Sequence, residues 1–181
     1  SFLAGYDKER VTVHEKTSYP FSERIEFVFK VDNPTEFPFT FRIPGWCKNP
    51  AMTVNGKNVK QDLLPDNYYT INKLFKNGDK ITLTLNRELH IKNWPKNTAT
   101  IEYGPLLFAR GIKPKTDSIA KGKTQTAEFP SLQMMPDEKY NYGLAITPGE
   151  LKKIQVEKRH INGKNPWRVE NAPLKIDVPA Y

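Results

Sequence analysis

Phe37 to Gly56 reads FPFTFRIPGWCKNPAMTVNG. Phe37, Phe39, Phe41 and Ile43 alternate with Pro38, Thr40 and Arg42, the period of a strand with one packed and one wet face. Pro44-Gly45 then predicts a turn. Proline presets the φ of a turn's second position and glycine takes the positive φ that a type II turn needs at the third, which leaves Trp46 on the corner. Asn55-Gly56 predicts a two-residue type I′ hairpin between Ala51 to Val54 and a short return strand near Lys57 to Lys60.

Outward from this stretch the same grammar repeats. Val11 and Val13 alternate with Thr12 and His14, and Ile25, Phe27, Phe29 and Val31 form an inner row against Arg24, Glu26, Val28, Lys30 and Asp32. After the Asn77-Gly78-Asp79 turn, Ile81, Leu83 and Leu85 repeat it. Aromatic and β-branched residues fill the inner positions, as a half-buried pleated surface favours. Gly149 to Glu157 is the best helical candidate, and its Ile154-x-Val156 tail reads equally well as strand. Short strands separated by Asn-Gly, Pro-Gly and Asn-Pro predict an all-β chain, an antiparallel β-sandwich of jelly-roll type in two consecutive units. The first unit spans 1–103, with Ala99 to Tyr103 as its last strand, and Gly104-Pro105 breaks the pattern. The second spans 104–181, with a mobile loop near 113–135, where large apolar residues are scarce. Strands are expected there at Tyr142 to Ile146, Ile154 to Val156 and Leu174 to Val178, and Ile161-Asn162-Gly163-Lys164 is a further hairpin candidate.

Bulk properties exclude several classes. The longest apolar stretches, such as Tyr103 to Ala109, are too short and too interrupted to cross a membrane as helices. The net charge of +8 invites a nucleic-acid reading, but the lysines are scattered along polar strand positions and turns, as at Lys30, Lys57, Lys76 and Lys80, and a scattered pattern reads as solvated surface, with contact to an acidic polysaccharide as the weaker alternative. Neither nucleic acid nor a membrane is expected as a partner. The single cysteine, Cys47, allows no internal disulfide and no multi-cysteine metal site, and reads as a small, partly buried residue. The chain opens at Ser1 and enters a strand-like pattern almost at once, which reads as a piece of something longer.

Five further pieces accompany the opening motif: Thr17-x-Tyr19-Pro20-Phe21; Asn77-Gly78-Asp79-Lys80-Ile81-x-Leu83-x-Leu85; Tyr103-Gly104-Pro105-Leu106; Asn141-Tyr142; and Ala172-Pro173-Leu174 with Val178-Pro179-Ala180. In this order they resemble the region that follows the catalytic domain in glycoside hydrolases of family 127, which include bacterial β-L-arabinofuranosidases. The resemblance implies a C-terminal β-sandwich region of such an enzyme, partnered by an upstream catalytic (α/α)6 barrel and located in the periplasm or outside the cell. It also implies a cysteine nucleophile in a zinc site of three cysteines and a glutamate. One cysteine cannot supply that set, so catalysis and any zinc are assigned to the barrel, and no catalytic, cofactor-binding or metal-binding residue is expected here.

The residues themselves offer no other active site. Most glycosidases hold two carboxyl groups across the scissile bond. Asp66 and Asp79 instead sit in turns, where Asp hydrogen-bonds local backbone, and Glu26 and Glu88 take polar strand positions. His14, His90 and His160 show no ligand spacing, and no serine sits in a G-x-S-x-G elbow.

What remains are rings for carbohydrate or interdomain contact: Trp46, Tyr68, Tyr69, Trp94 and Trp167. Trp46 reads as a plug, adjacent Tyr68 and Tyr69 must face opposite ways, and Trp94 and Trp167 adjoin proline in loops. The leading reading is a non-catalytic accessory supporting the barrel or its assembly. A carbohydrate-binding module for plant cell-wall polysaccharide is the alternative, and a homodimer contact is a third.

Overall fold

The computed structural model describes residues 2–6, 9–60, 62–119, 126, 128–161 and 165–181. The chain is nearly all-β. It divides into two units, the first comprising 1–90 with 102–107 and the second 91–101 with 108–181.

The first unit is an antiparallel sandwich. One sheet runs in the order β1-β2-β3-β8-β5-β6, built from β1 (Phe2–Tyr6), β2 (Glu9–Thr17), β3 (Arg24–Val31), β5 (Pro50–Val54), β6 (Lys57–Asn58) and β8 (Lys80–Leu85). The other pairs β4 (Thr35–Arg42) with β7 (Tyr68–Phe75), in a register that sets Phe41 opposite Tyr69 and Phe37 opposite Lys73. Alternation decides which residues go inside. Phe37 and Phe41 are buried while Glu36, Pro38, Thr40 and Arg42 are exposed, and β8 buries Ile81, Leu83 and Leu85. Between the sheets Phe29 packs on Phe75 with ring centroids 4.3 Å apart and Phe27 meets Phe39 edge-on at 5.1 Å, while within the β4–β7 sheet Phe37 stacks on Phe75 at 4.4 Å. Such pairs add roughly 0.5–1.5 kcal/mol each beyond the area they bury. Pro38 is tolerated because β4 pairs with β7 alone and presents its other edge to no strand of this sheet.

The type I′ turn forms as predicted, with Asn55 at φ 49° and Gly56 at φ 78° and Val54 paired to Lys57. The turn after β4 lies one residue later than expected. Cys47 N donates to Pro44 O at 3.1 Å, so Gly45 and Trp46 are the central residues, and Gly45 does not take a positive φ. The reason is burial: Ile43 continues the extended chain by donating its N–H to Asn67 O at 2.9 Å, and turning after Pro44 puts both Ile43 and Cys47 fully inside.

The remaining elements are short. β9 (Leu89–Trp94), β10 (Thr98–Tyr103) and β11 (Leu106–Phe108) form a sheet in the order β11-β10-β9. Gly104 at φ 61° heads the two-residue link from β10 to β11, so the glycine and proline that break the alternation make a hairpin there, with glycine where a type II′ turn requires it.

In the second unit β12 (Pro114–Ser118) pairs with β13 (Leu132–Pro136), and β14 (Glu157–Lys158) with β15 (Leu174–Lys175). The 113–135 stretch, read as a loop, thus contributes two strands at its ends. α1 (Pro148–Leu151) is a single turn fixed by a capping box: Glu150 N donates to Thr147 Oγ1, and Thr147 N to Glu150 Oε2. Pro148, read as an interruption, is the favoured first residue of that turn. Between Tyr142 and Ile146 only Leu144 forms a bridge, to Ala180, and Ile154 to Val156 is not a strand. Prolines 173 and 179 limit how far the ladders extend, since neither can donate a hydrogen bond. The hairpin candidate at Asn162–Lys164 lies outside the described residues.

Candidate functional site

Three of the motif pieces meet at one side chain. Arg87 follows β8 with its side chain 1% exposed. Its Nη1 donates to Pro20 O at 2.7 Å and its Nη2 to Phe21 O at 3.2 Å, while Nε lies 3.5 Å from Glu23 Oε1. The guanidinium lies over the Tyr103 ring, 4.5 Å from its centroid, and Tyr103 Oη donates to the same Glu23 oxygen at 3.3 Å. Gly104 closes the arrangement: a β-carbon there would stand 2.6 Å from Arg87 Cγ and Cδ and 3.3 Å from Trp46 Cζ3. The Tyr19–Pro20 peptide in this turn is cis. Tyr19-Pro20-Phe21, Trp46 and Tyr103-Gly104 are therefore parts of one knot around the buried Arg87 side chain.

A phenol, a carboxylate and a guanidinium together suggest tyrosine nucleophiles of certain glycosidases. The environment argues against that chemistry. Burial, aided by the Glu23 charge, pushes the Tyr103 phenol above its ordinary value, whereas a nucleophile needs its ionised form at hand. Tyr103 is also buried. This knot fastens the turn before β3 to the β10–β11 link.

A second knot joins two turn motifs. Asp79 accepts from Lys76 N at 2.9 Å and Asn55 Nδ2 at 2.8 Å and pairs with Lys73 Nζ, and Asn55 Oδ1 accepts from Lys80 N at 2.8 Å. Burial by itself would raise the Asp79 carboxyl, but the bonds from Lys73, Lys76 and Asn55 outweigh it and hold the group below its usual range. Lys73 belongs to β7 and Asp79 leads into β8, so this pair bridges the two sheets. Neither Arg87 nor Lys73 carries a local sequence signal. Apart from the adjacent Leu74 O, to which Lys73 Nζ also donates, Lys73 meets Asp79 six residues on and Arg87 meets Pro20 across 67 residues.

The five candidate rings separate between the units. Trp46 is half-buried and packs against the sandwich core. Tyr69 is inward, its hydroxyl donating to Asp62 O at 2.9 Å and accepting from Leu64 N, while Tyr68 is 71% exposed. Trp94, 46% exposed, donates from Nε1 to Thr100 Oγ1 at 3.1 Å, and Lys92 Nζ lies 4.5 Å from its ring centroid. Trp167 is 67% exposed, with its backbone N–H donating to Asn165 Oδ1 at 3.0 Å. In the first unit, then, two rings are packing and one is surface, and both second-unit rings are surface.

Cys47 is fully buried and its thiol is pushed up by that burial. His14, His90 and His160 are exposed, His90 Nε2 lying 3.1 Å from Glu102 Oε2. Among the described residues no three His, Cys, Asp or Glu side chains gather as a metal site, and no helix is long and apolar enough to cross a membrane.

A sandwich of this kind serves in enzymes and in non-enzymatic proteins alike, so the fold by itself assigns no activity. Residues 3–87, just under half the chain, match the family model of the β-L-arabinofuranosidase GH127 middle domain. No curated protein matches. Among solved structures, a glycoside hydrolase aligns over 74% of this chain at 19% identity and TM-score 0.53. A GH127 β-L-arabinofuranosidase from Geobacillus stearothermophilus T6 aligns over 75% at 16% and 0.53, and a GH127 β-arabinofuranosidase over 98% at 16% and 0.52. The likeness to these structures is one of fold. This chain spans 28–29% of their lengths. The matched family segment is described as a middle domain, whereas the sequence motifs were read as a C-terminal region.

Proposed function

We propose that this chain is a non-catalytic β-sandwich region of a family 127-like glycoside hydrolase, supporting a catalytic (α/α)6 barrel on its N-terminal side. In this reading residues 3–87 take the middle position and the second unit follows toward the C-terminus. The hydrolysis itself, with any zinc, belongs to the barrel, and the enzyme works in the periplasm or outside the cell. The observation that carries the reading is the match of the first unit to the GH127 middle domain, joined to the use of that unit's polar cluster in closing the fold rather than in opening a cleft.

The test is direct. The purified chain, offered a chromogenic β-L-arabinofuranoside, is expected to release no more product than buffer, and the coding sequence upstream of Ser1 is expected to specify helical hairpins bearing a cysteine cluster. Turnover by the chain alone that survives repurification and is abolished by a substitution within it would overturn the proposal.

A further inference from the structure

The charge of this chain is divided unevenly between its units. The first holds 13 Lys and Arg against 12 Asp and Glu; the second holds 15 against 8, and so carries nearly all of the excess. Within the second unit, residues 91–101 contain Lys92 and Lys96 and no acidic residue. This segment is the outer part of the β9–β10 hairpin, where Trp94 is held across the strands by its bond to Thr100 and faced by the Lys92 ammonium. At the tip Lys96 and Asn97 take left-handed backbone, φ 62° and 56°, the pair of values of a type I′ turn. Asparagine accepts that conformation readily, and lysine does so rarely. The tip thus displays an exposed ammonium two residues from a fixed, half-exposed indole.

We propose that the Trp94–Lys96 hairpin tip binds an acidic glycan, with the indole stacking on the C–H face of a sugar ring and Lys96 meeting the carboxylate of a uronic acid. Amphipathic rings suit a ligand that is apolar on its face and polar at its rim. The ammonium–carboxylate contact is a charge-assisted bond, and the unit's positive excess attracts a polyanion from a distance. A sugar rather than a nucleic acid is favoured by the resemblance to glycoside hydrolases, so the substrate class rests on the accessory reading above.

Affinity electrophoresis and calorimetry of the whole chain with polygalacturonate, neutral arabinan and duplex DNA test it. Binding to polygalacturonate is expected to exceed binding to arabinan and DNA, and to weaken at least about tenfold between 50 and 500 mM salt. Trp94→Ala should weaken it about three- to tenfold. Lys96→Asn relieves the backbone without removing the turn, so it should melt no lower than the parent yet bind about two- to threefold more weakly. No retardation by polygalacturonate, binding indifferent to both substitutions, or equal retention by DNA would overturn the proposal. None of those results touches the accessory reading, which is decided by the hydrolysis assay.

Discussion

Replacing Arg87 by methionine keeps the length of the side chain and removes its charge, and the consequence can be worked from the contacts. Two half-buried backbone carbonyls, Pro20 O and Phe21 O, lose their donors and regain only part of their hydration, so each loses less than a fully buried group would, and Glu23 loses its cation. An unsatisfied buried polar group costs about 1–3 kcal/mol, and breaking a buried ion pair from one side about 3–5 kcal/mol. Glu23 is 26% exposed and recovers part of its hydration, which favours the lower end of the second range. The expected loss is about 3–5 kcal/mol for the first unit, a large part of what a domain of this size possesses. Glu23→Gln keeps a hydrogen-bond acceptor for Tyr103 and should lose only about 1–2 kcal/mol. Urea unfolding followed by aromatic fluorescence gives both values, and the double substitution closes a cycle. A coupling of about 1 kcal/mol or more between the two sites is expected, since they share one contact network. An Arg87→Met loss below about 1 kcal/mol, or strict additivity, would refute the claim that this knot holds the sandwich closed.

Three other outcomes follow from the same geometry. Gly104→Ala forces a β-carbon to within 2.6 Å of the pinned Arg87 chain at a positive φ, so a loss of about 2–4 kcal/mol is expected in the same unfolding assay. Asp79 has its folded pKa depressed, so its stabilisation is present above the unfolded carboxyl value near 4 and is lost as pH falls through the folded one; in urea titrations below pH 4, Asp79→Asn should flatten that acid slope. Cys47, buried with its thiol raised, should react with a thiol reagent at neutral pH no faster than the first unit unfolds, and burst labelling of the native protein would contradict the placement.

Much of the first unit was legible because its signals are local. The Phe37–Ile43 alternation states its own inner face, and Asn55-Gly56 carries the backbone its turn needs. The Pro44 turn shows where local rules end: proline and glycine permit a type II turn, but the burial of Ile43 and Cys47 moves it one residue on. The knots were beyond reading, although their parts were visible as separate motifs. Tyr103 bonds to Glu23 across 80 residues and Arg87 to Pro20 across 67, and no periodicity encodes such meetings. In the second unit the prolines were visible but their effect was not. Pro148 starts a capped turn, which Thr147 and Glu150 spell out as a capping box once it is looked for.

Charge was misleading along the chain for a related reason. Residues 91–101 are separated in sequence from 108–181 yet cluster with them, so a linear scan averages a balanced unit with a basic one. The two units also use their ions differently. In the first, Arg87–Glu23, Lys73–Asp79 and Arg42–Asp66 tie distant or turn residues into the fold. In the second, Arg110–Glu138 does the same, while Lys115–Asp117, Arg159–Glu157, Arg168–Glu170 and Lys175–Asp177, like Arg24–Glu26 in the first, each join neighbours two apart. Exposed pairs of that kind contribute little to stability, and their cations stay at the surface. Distant ties thus predominate in the first unit and near-neighbour pairs in the second, so most of the second unit's positive excess lies outside such ties, and it is this excess that the salt dependence of polygalacturonate binding reads.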